Sequence, residues 1–335
     1  MSRTSTEVVR HALNGPTMGT RWSALFFTPP GFDADAARVA FQEAVDEVDV
    51  QMSTWNRDSD LMRLNRAPVG EEVPVPALLM EVLRLAIAVG EASGGAFDIG
   101  VGDAVSAWGF GPAAAAPDLI RAAMKVGRVP AHEALVLNNG SVRKRLPIAL
   151  DLNGVAKGFG VDRLAVTLGQ LGIGNGLVGI DGEMRAMGLR PDGEAWTVAV
   201  ELPDLDQRTP HSVLSLLDCA VATSGDYRHW VEVQGRRLSH TMDPRKGTPL
   251  RDAPASVTVV APTCAAADAW ATALMVLGPG KGGELARIAG ISALFLLRSD
   301  GNSIRACRVG RIFEDEQALP ATQRTRPWSI RLRNG

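Results

Sequence analysis

The sequence predicts an α+β fold, a mixed and mostly antiparallel sheet with flanking helices, and three observations carry that reading. Helical periods dominate the first half of the chain, strand-length runs dominate the second, and helices return late. The order of elements is not the regular β-α-β alternation of a parallel sheet. Two pairs of short strands meet in hairpins, one across Asn139-Gly140, a favoured two-residue turn, and one around Gln234-Gly235.

Residues 18–27 read as a first strand, ended by Thr28-Pro-Pro-Gly31. Residues 33–52 read as a helix with Ala37, Phe41, Val45 and Val48 on one face. Residues 53–65 are a polar loop leading into a short helix that Ser59 caps. Residues 76–92 form a second long helix, stopped by Ser93-Gly94-Gly95. Residues 96–110 are rich in glycine and aromatics and take no local assignment, and 117–126 read as a third helix. The strands of the first hairpin are 134–137 and 141–145. The apolar run 146–150 reads as a strand that ends at Asp151, turns through Asn153-Gly154 and enters a helix, where Val161, Leu164, Leu168 and Leu171 share a face. Strands follow at 177–180, 183–189, 196–202, 212–217 and 220–223, then the hairpin 228–233 with 236–242, then 257–260. Helices at 264–277, with Gly278 just past its end, and at 283–289 precede a strand at 291–297.

The totals bound the rest. The 335 residues suffice for a large core, and 46% are hydrophobic, as in a folded rather than a disordered chain. A net charge of -2 gives no electrostatic ground for a nucleic-acid or membrane-surface partner. The three cysteines lie far apart, without metal-ligand spacing, and their odd number argues against a disulfide framework. No window has the ~18 apolar residues of a membrane span. Residues 1–15 show neither a signal-peptide core nor a cysteine to lipidate, so the expected compartment is the cytoplasm. The expected organisation is an N-terminal extension (1–15), one domain (16–312) and a polar tail (313–335).

Several constellations carry chemistry. Asp151-Leu-Asn-Gly-Val-Ala-Lys-Gly158 ends in a helix start whose free N–H groups, with Lys157 one turn in, suit a phosphate. The same residues also read as an ordinary strand-to-helix connection capped by Asn153. Asp268 and Thr272 share a helix face; a carboxylate, a hydroxyl and a backbone carbonyl suit a hard cation such as Mg²⁺. By spacing alone they read more readily as a helix-surface Asp and a Thr bonding the backbone. His240 shares one face of a strand with Leu238 and Met242, as a general base or as a core histidine. Thr223-Ser-Gly-Asp-Tyr227 is a turn with small donors, and Trp55 is an aromatic at a loop tip that suits stacking on a flat ring. Gly174-Asn-Gly176-Leu-Val-Gly179 matches a dinucleotide fingerprint, but it leaves a helix and opens a strand, the reverse of what that motif requires. A Rossmann-type oxidoreductase is disfavoured on that ground.

In order along the chain, Met18-Gly-Thr20, Met52-Ser-Thr-Trp55, Gly95-Ala-Phe-Asp98, Trp108-Gly-Phe-Gly111 and the 151–158 stretch occur together with Thr223-Ser-Gly-Asp-Tyr227, His240-Thr-Met-Asp-Pro244, Ser256-Val-Thr-Val259 and Ala267-Asp-Ala-Trp-Ala-Thr272. This set resembles the FAD:protein FMN transferases, the ApbE family. The resemblance implies a T-fold-related architecture of two closely packed lobes holding FAD as substrate, with Mg²⁺ at its pyrophosphate. It implies transfer of FMN to a Ser or Thr of an acceptor flavoprotein as a phosphodiester, with release of AMP. Carried over by position, it implies Mg²⁺ ligands at Gly154, Asp268, Ala271 and Thr272 and an FAD site lined by Met18, Trp55, Ala96, Phe97, Asp98, Asp151, Lys157 and Met242. His240 and Asp268 are the implied catalytic residues, His240 as base for the acceptor hydroxyl.

The chain departs from the family's pattern at Lys246, where a Thr is usual, at Trp55, where Tyr is frequent, and at Gly179-Ile-Asp-Gly182. Hydrolysis of FAD to FMN and AMP, or FAD carriage without turnover, are the alternatives these departures leave open.

Overall fold

The structure is a computed structural model that describes residues 8–314 apart from 205–208, 227–229, 234–235, 252 and 300–302; it says nothing of the side chains of 230–233, 236–238 and 314. Tyr227 and nearly all of the 313–335 tail therefore lie outside the described residues.

The chain opens with β1 (Val9–Thr17), antiparallel to β2 (Thr20–Thr28). Residues 9–15, set apart from sequence as an extension, are instead the outer strand of the main sheet. Its inward positions are Leu13, Gly15 and Thr17 and its outward ones include Asn14 and Pro16, so no apolar alternation announces it. Pro is tolerated there because the strand is an edge.

Helix α1 (Ala34–Met52) starts at Asp33, whose side chain accepts the N–H of Asp35 and Ala36, and it buries the expected Ala37, Phe41, Val45 and Val48. Ser59 caps α2 (Asp60–Arg66) by accepting the Met62 N–H. Then come β3 (Glu72–Pro74), α3 (Ala77–Ala92), α4 (Gly102–Ala107), α5 (Pro117–Lys125) and α6 (Ala131–Ala134). The Asn139-Gly140 hairpin forms from β4 (Leu135–Leu137) and β5 (Ser141–Lys144), with β3 on the other side of β5. The apolar run 146–150 is not a strand; it is irregular backbone that buries Leu150 beside α2, where the Asn65 side chain bonds both Leu150 backbone groups.

Helix α7 (Ala156–Gln170) leads into β6 (Gly176–Ile180), β7 (Glu183–Met187), β8 (Trp196–Glu201), β9 (Pro210–Leu216) and β10 (Ala220–Gly225). Two small hairpins follow, β11 (Trp230–Val233) with β12 (Arg236–Ser239), and β13 (Met242–Asp243) with β14 (Thr248–Pro249). The chain closes with β15 (Ser256–Ala261), α8 (Cys264–Ile288), β16 (Ser292–Arg298), β17 (Ile304–Val309) and α9 (Arg311–Glu314). The two helices expected at 264–277 and 283–289 run on as α8 through a kink at Gly278, whose φ is 70°.

The main sheet has eight strands in the order β1-β2-β6-β7-β10-β15-β16-β17, and every neighbouring pair is antiparallel. Helices α1, α7 and α8 cover one face. The β8–β9 hairpin covers the other, burying Trp196, Val200, Leu214 and Leu216 against Leu177, Val221 and Leu294. Helix α8 is buried on two sides. Its Ala265, Ala269 and Ala273 pack into the helical core around α3, and its Ala267, Ala271 and Leu274 pack on the sheet. An alanine-rich helix is what lets two cores approach one axis from both sides, and it sets Asp268 and Thr272 between them.

Candidate active site

Helices α7 and α8 cross at Gly158. A Cβ there would overlap the Cys264 carbonyl oxygen and stand 2.8 Å from Asp268 Cβ, so only glycine allows this approach. The contact lets the Gly158 N–H donate to Asp268 Oδ2 at 3.1 Å. Four residues on, Asp162 accepts the N–H groups of Cys264 and Ala265, each at 2.9 Å, and takes Arg185 Nη1 at 2.6 Å. Asp162 thus caps the start of α8 and joins the helices. Asp151, the other acid of that stretch, lines a cavity.

Asn153 does not cap α7. The N-cap is Val155, with no side-chain cap bond. Asn153 instead gives its backbone N–H (2.9 Å) and its Nδ2 (3.1 Å) to the Asp151 carboxylate. The Asp151 pKa is pushed up to about 6 by burial, against the pull of the Asn153 N–H.

Asp268 and Thr272 lie together at this crossing. Thr272 Oγ1 is 3.1 Å from Ser224 Oγ on β10. A Cβ on Gly154 would sit 3.1 Å from Thr272 Oγ1, so the Gly154 backbone passes beside that hydroxyl. Asp268, Thr272 and Gly154 line the cavity. Ala271 is fully buried and outside the lining, leaving only its carbonyl as a donor. These are hard oxygen donors with one carboxylate, the set that suits Mg²⁺ completed by water and phosphate oxygens. Among the described residues no three His, Cys, Asp or Glu side chains cluster as a metal cage, and a phosphate-bound Mg²⁺ requires none.

Lys157 sits in the first turn of α7, its Nζ 2.8 Å from Glu183 Oε1 and 3.3 Å from Asp181 Oδ2. Burial lowers its pKa, but Glu183, Asp268 and Asp181 more than compensate and hold the ammonium charged above the usual lysine range. Burial raises the pKa of Glu183 and of Asp268, and Lys157 opposes both rises. Sequence reasoning missed Asp181 and Glu183. The available signal was Asp181-Gly182 between two strands, a pair favoured at two-residue hairpin turns; both residues have positive φ, 50° and 101°. The adjacent β1–β2 turn is built likewise from Met18 (φ 45°) and Gly19 (φ 72°). A non-glycine residue held there is strained, and Met18 lines the cavity.

The cavity measures about 1310 Å³ and gathers every sequence-expected side chain except Ala271. Trp55 stands at its mouth, 63% exposed, in the loop after α1. Ala96, Phe97 and Asp98 reach it from the turn after α3. Asp98 accepts from the N–H groups of Gly100 (2.7 Å) and Ala131 (3.2 Å), and burial raises its pKa. His240 and Met242 also line it, but the single strand expected over 236–242 is broken. Strand β12 ends at Ser239, whose Oγ accepts the Thr241 N–H, and Met242 opens the next hairpin, so His240 lies on a bend between two hairpins. Trp108 Nε1 donates to the Gly247 carbonyl at 2.9 Å, tying the Trp108-Gly-Phe-Gly111 stretch to that hairpin. Lys246 is not in the lining: 74% exposed, it pairs with Asp243 at 3.0 Å.

Comparison with known proteins agrees with this architecture. The family model described as "ApbE family" matches residues 18–295. The FAD:protein FMN transferase of Vibrio cholerae serotype O1 is 37% identical over 293 residues, 86% of this chain and 87% of that protein. That of Escherichia coli strain K12 is 35% identical over 312 residues, 90% and 87% respectively. The structure of the flavin transferase ApbE from Vibrio cholerae superposes with a TM-score of 0.80 at 34% identity, covering 90% of this chain and 98% of that one. The apo flavinyl transferase ApbE of Pseudomonas stutzeri superposes with a TM-score of 0.79 at 33% identity, covering 90% and 95%. On this agreement of sequence and fold, the chain belongs to the ApbE family.

Proposed function

We propose that this enzyme transfers FMN from FAD to a Ser or Thr hydroxyl of an acceptor flavoprotein, releasing AMP. The observation that carries the reading is the α7–α8 crossing, where Asp268, Thr272 and the Gly154 backbone lie together beside the start of α7 and Lys157. The relatives named FAD:protein FMN transferase support the reaction class.

In this reading the pyrophosphate of FAD lies against the first turn of α7, whose N–H groups favour anions. The side chains of Asp268 and Thr272 and the carbonyls of Gly154 and Ala271 would hold a Mg²⁺, which when bound would supply positive charge to offset the charge that develops on the pyrophosphate. Lys157 is kept protonated by its carboxylate neighbours and supplies fixed positive charge. Trp55 stacks on the isoalloxazine at the mouth. His240 takes the proton of the acceptor hydroxyl. The acceptor oxygen forms a bond to the phosphorus of FMN, the bond from that phosphorus to the bridging oxygen breaks, and AMP leaves with the oxygen and the electron pair.

Incubation with FAD, Mg²⁺ and candidate acceptor flavoproteins tests this. The expected products are AMP and a fluorescent protein band that survives denaturing electrophoresis. AMP without any labelled acceptor would point to hydrolysis; tight FAD binding with no AMP under any divalent ion would point to a carrier.

A further inference from the structure

Strand β10 is paired along its whole length on one side only. Each residue of Ala220–Gly225 faces a partner in β15. On the other side only Ala220 and Val221 face β7, at Arg185 and Met184. Beyond that point the neighbouring chain has turned away, because β7 begins at Glu183 and Asp181-Gly182 carry the chain back to β6. Among the described residues no strand pairs with Thr223, Ser224 or Gly225 on that side, and all three line the cavity.

Two hydrogen bonds fix the direction of the backbone groups. The Asp226 N–H donates to the Ala255 carbonyl at 3.1 Å, toward β15. The Ala186 N–H donates to the Cys219 carbonyl at 2.9 Å, toward β7. In an antiparallel strand a residue turns its N–H and C=O to one edge, and its neighbours turn theirs to the other. Even-numbered residues of β10 therefore bond β15, and odd-numbered ones face β7. Thr223 and Gly225 turn their N–H and C=O groups to the unpaired edge. Between them in sequence is Ser224, whose hydroxyl is 3.1 Å from Thr272 Oγ1.

Donors and acceptors repeating at strand spacing along an open edge complement an extended polypeptide backbone. We infer, resting on the flavin-transfer reading of the cavity, that the acceptor protein docks here by strand addition. An extended segment bearing the target Ser or Thr pairs with Thr223 and Gly225 and continues the sheet past the end of β7. Side chains on such a segment alternate between faces, so the register sends one of them to the α8 face, where Ser224 and Thr272 lie. Selection among Ser and Thr residues is then by backbone: a target on a loop or terminus that can extend is accepted, and one held in a helix is not.

Gly225→Pro tests the edge. It deletes one edge donor and spares the β15 ladder, since Pro is tolerated where a strand N–H points outward. The expected result is a rise of about tenfold in KM for a flavinylated acceptor protein, with the Kd for FAD moved less than about twofold. A second measurement leaves the enzyme untouched. Synthetic peptides spanning the acceptor's flavinylated residue are N-methylated at one amide at a time. Strand addition predicts an alternating pattern, with every second methyl group abolishing transfer and the intervening ones tolerated. Wild-type transfer by Gly225→Pro together with a non-alternating methylation pattern overturns the inference. Weakened FAD binding by Gly225→Pro also overturns it, by assigning the edge to the dinucleotide. A wild-type enzyme that neither binds FAD nor releases AMP fails one step earlier and removes the flavin-transfer reading itself.

Discussion

The backbone N–H of Gly158 donates to Oδ2 of Asp268 at 3.1 Å, so one carboxylate is shared between the first turn of α7 and the body of α8. The bond exists because position 158 has no Cβ. The atoms a methyl group would strike, a main-chain carbonyl and the Asp268 Cβ, have no rotamer by which to move aside.

Gly158→Ala is therefore expected to force the helices apart at a cost of about 3 kcal/mol. In a chain of this size that lowers the Tm by about 4 °C. Release of AMP, assayed where the variant is still folded, should fall further than the unfolded fraction explains, because the carboxylate moves with α8. Calorimetry and AMP chromatography on one preparation check both; an unchanged Tm would refute the steric account.

Asp268→Asn keeps the shape of the side chain and an acceptor for the Gly158 N–H, and removes only the charge. The remaining hydroxyl and carbonyls bind a divalent ion weakly without a carboxylate. AMP release is expected to fall at least about 100-fold. Stability should hold or rise, since burial already works against the ionised form of this group. Thermal melts beside turnover assays separate the two effects, and wild-type turnover would exclude Asp268 from the metal site.

The sites legible in the sequence are those whose chemistry travels with local spacing. Asp268 and Thr272 stand four apart in an alanine-rich helix, and Lys157 follows a Gly-containing turn. Ser59 is a cap read from the residues just after it. What was not legible depends on chain brought from afar. Glu183 matters through a lysine 26 residues earlier, and Asn153 abandons its cap for the Asp151 carboxylate because burial leaves that acid in need of donors. Strand β1 was missed because an edge strand with Gly and Pro carries no alternation. The suspicion attached to Lys246 rests on its standing where the family usually has a Thr; the Asp243–Lys246 pair at the turn holds the ammonium out of the cavity.

Asp151 gives a pH prediction with a definite sign. Its carboxyl titrates near 3.8 as an unfolded-like reference and at about 6 in the fold, raised by burial. Between those values the folded chain holds a proton that the unfolded chain has released, so this group's contribution to stability falls as pH rises from about 4 to about 6. Above that window the charged, buried carboxylate costs about 3 kcal/mol relative to its effect below pH 4. Asp151→Asn still accepts the Asn153 N–H and carries no charge. Urea unfolding of both proteins at pH 4.5 and pH 7.5 should show the variant gaining on the wild type as pH rises. A difference that is constant, or that shrinks with pH, would contradict the assignment.

Trp55 separates affinity from stability. Its ring is 63% exposed at the cavity mouth. Its loop is held by other groups: Ser53 Oγ accepts the Trp55 and Asn56 N–H groups, and Ser59 Oγ donates to the Ser53 carbonyl at 2.7 Å. Trp55→Ala should therefore leave stability within about 0.5 kcal/mol of wild type. If the indole stacks on the isoalloxazine, FAD and riboflavin both bind about tenfold more weakly to the variant, while AMP binds as before. Trp55→Tyr, which restores an aromatic face, should recover most of the loss. Titrations with the three ligands decide the orientation of FAD in the cavity, since weaker AMP binding with riboflavin unaffected would place the adenine, not the flavin, against this ring.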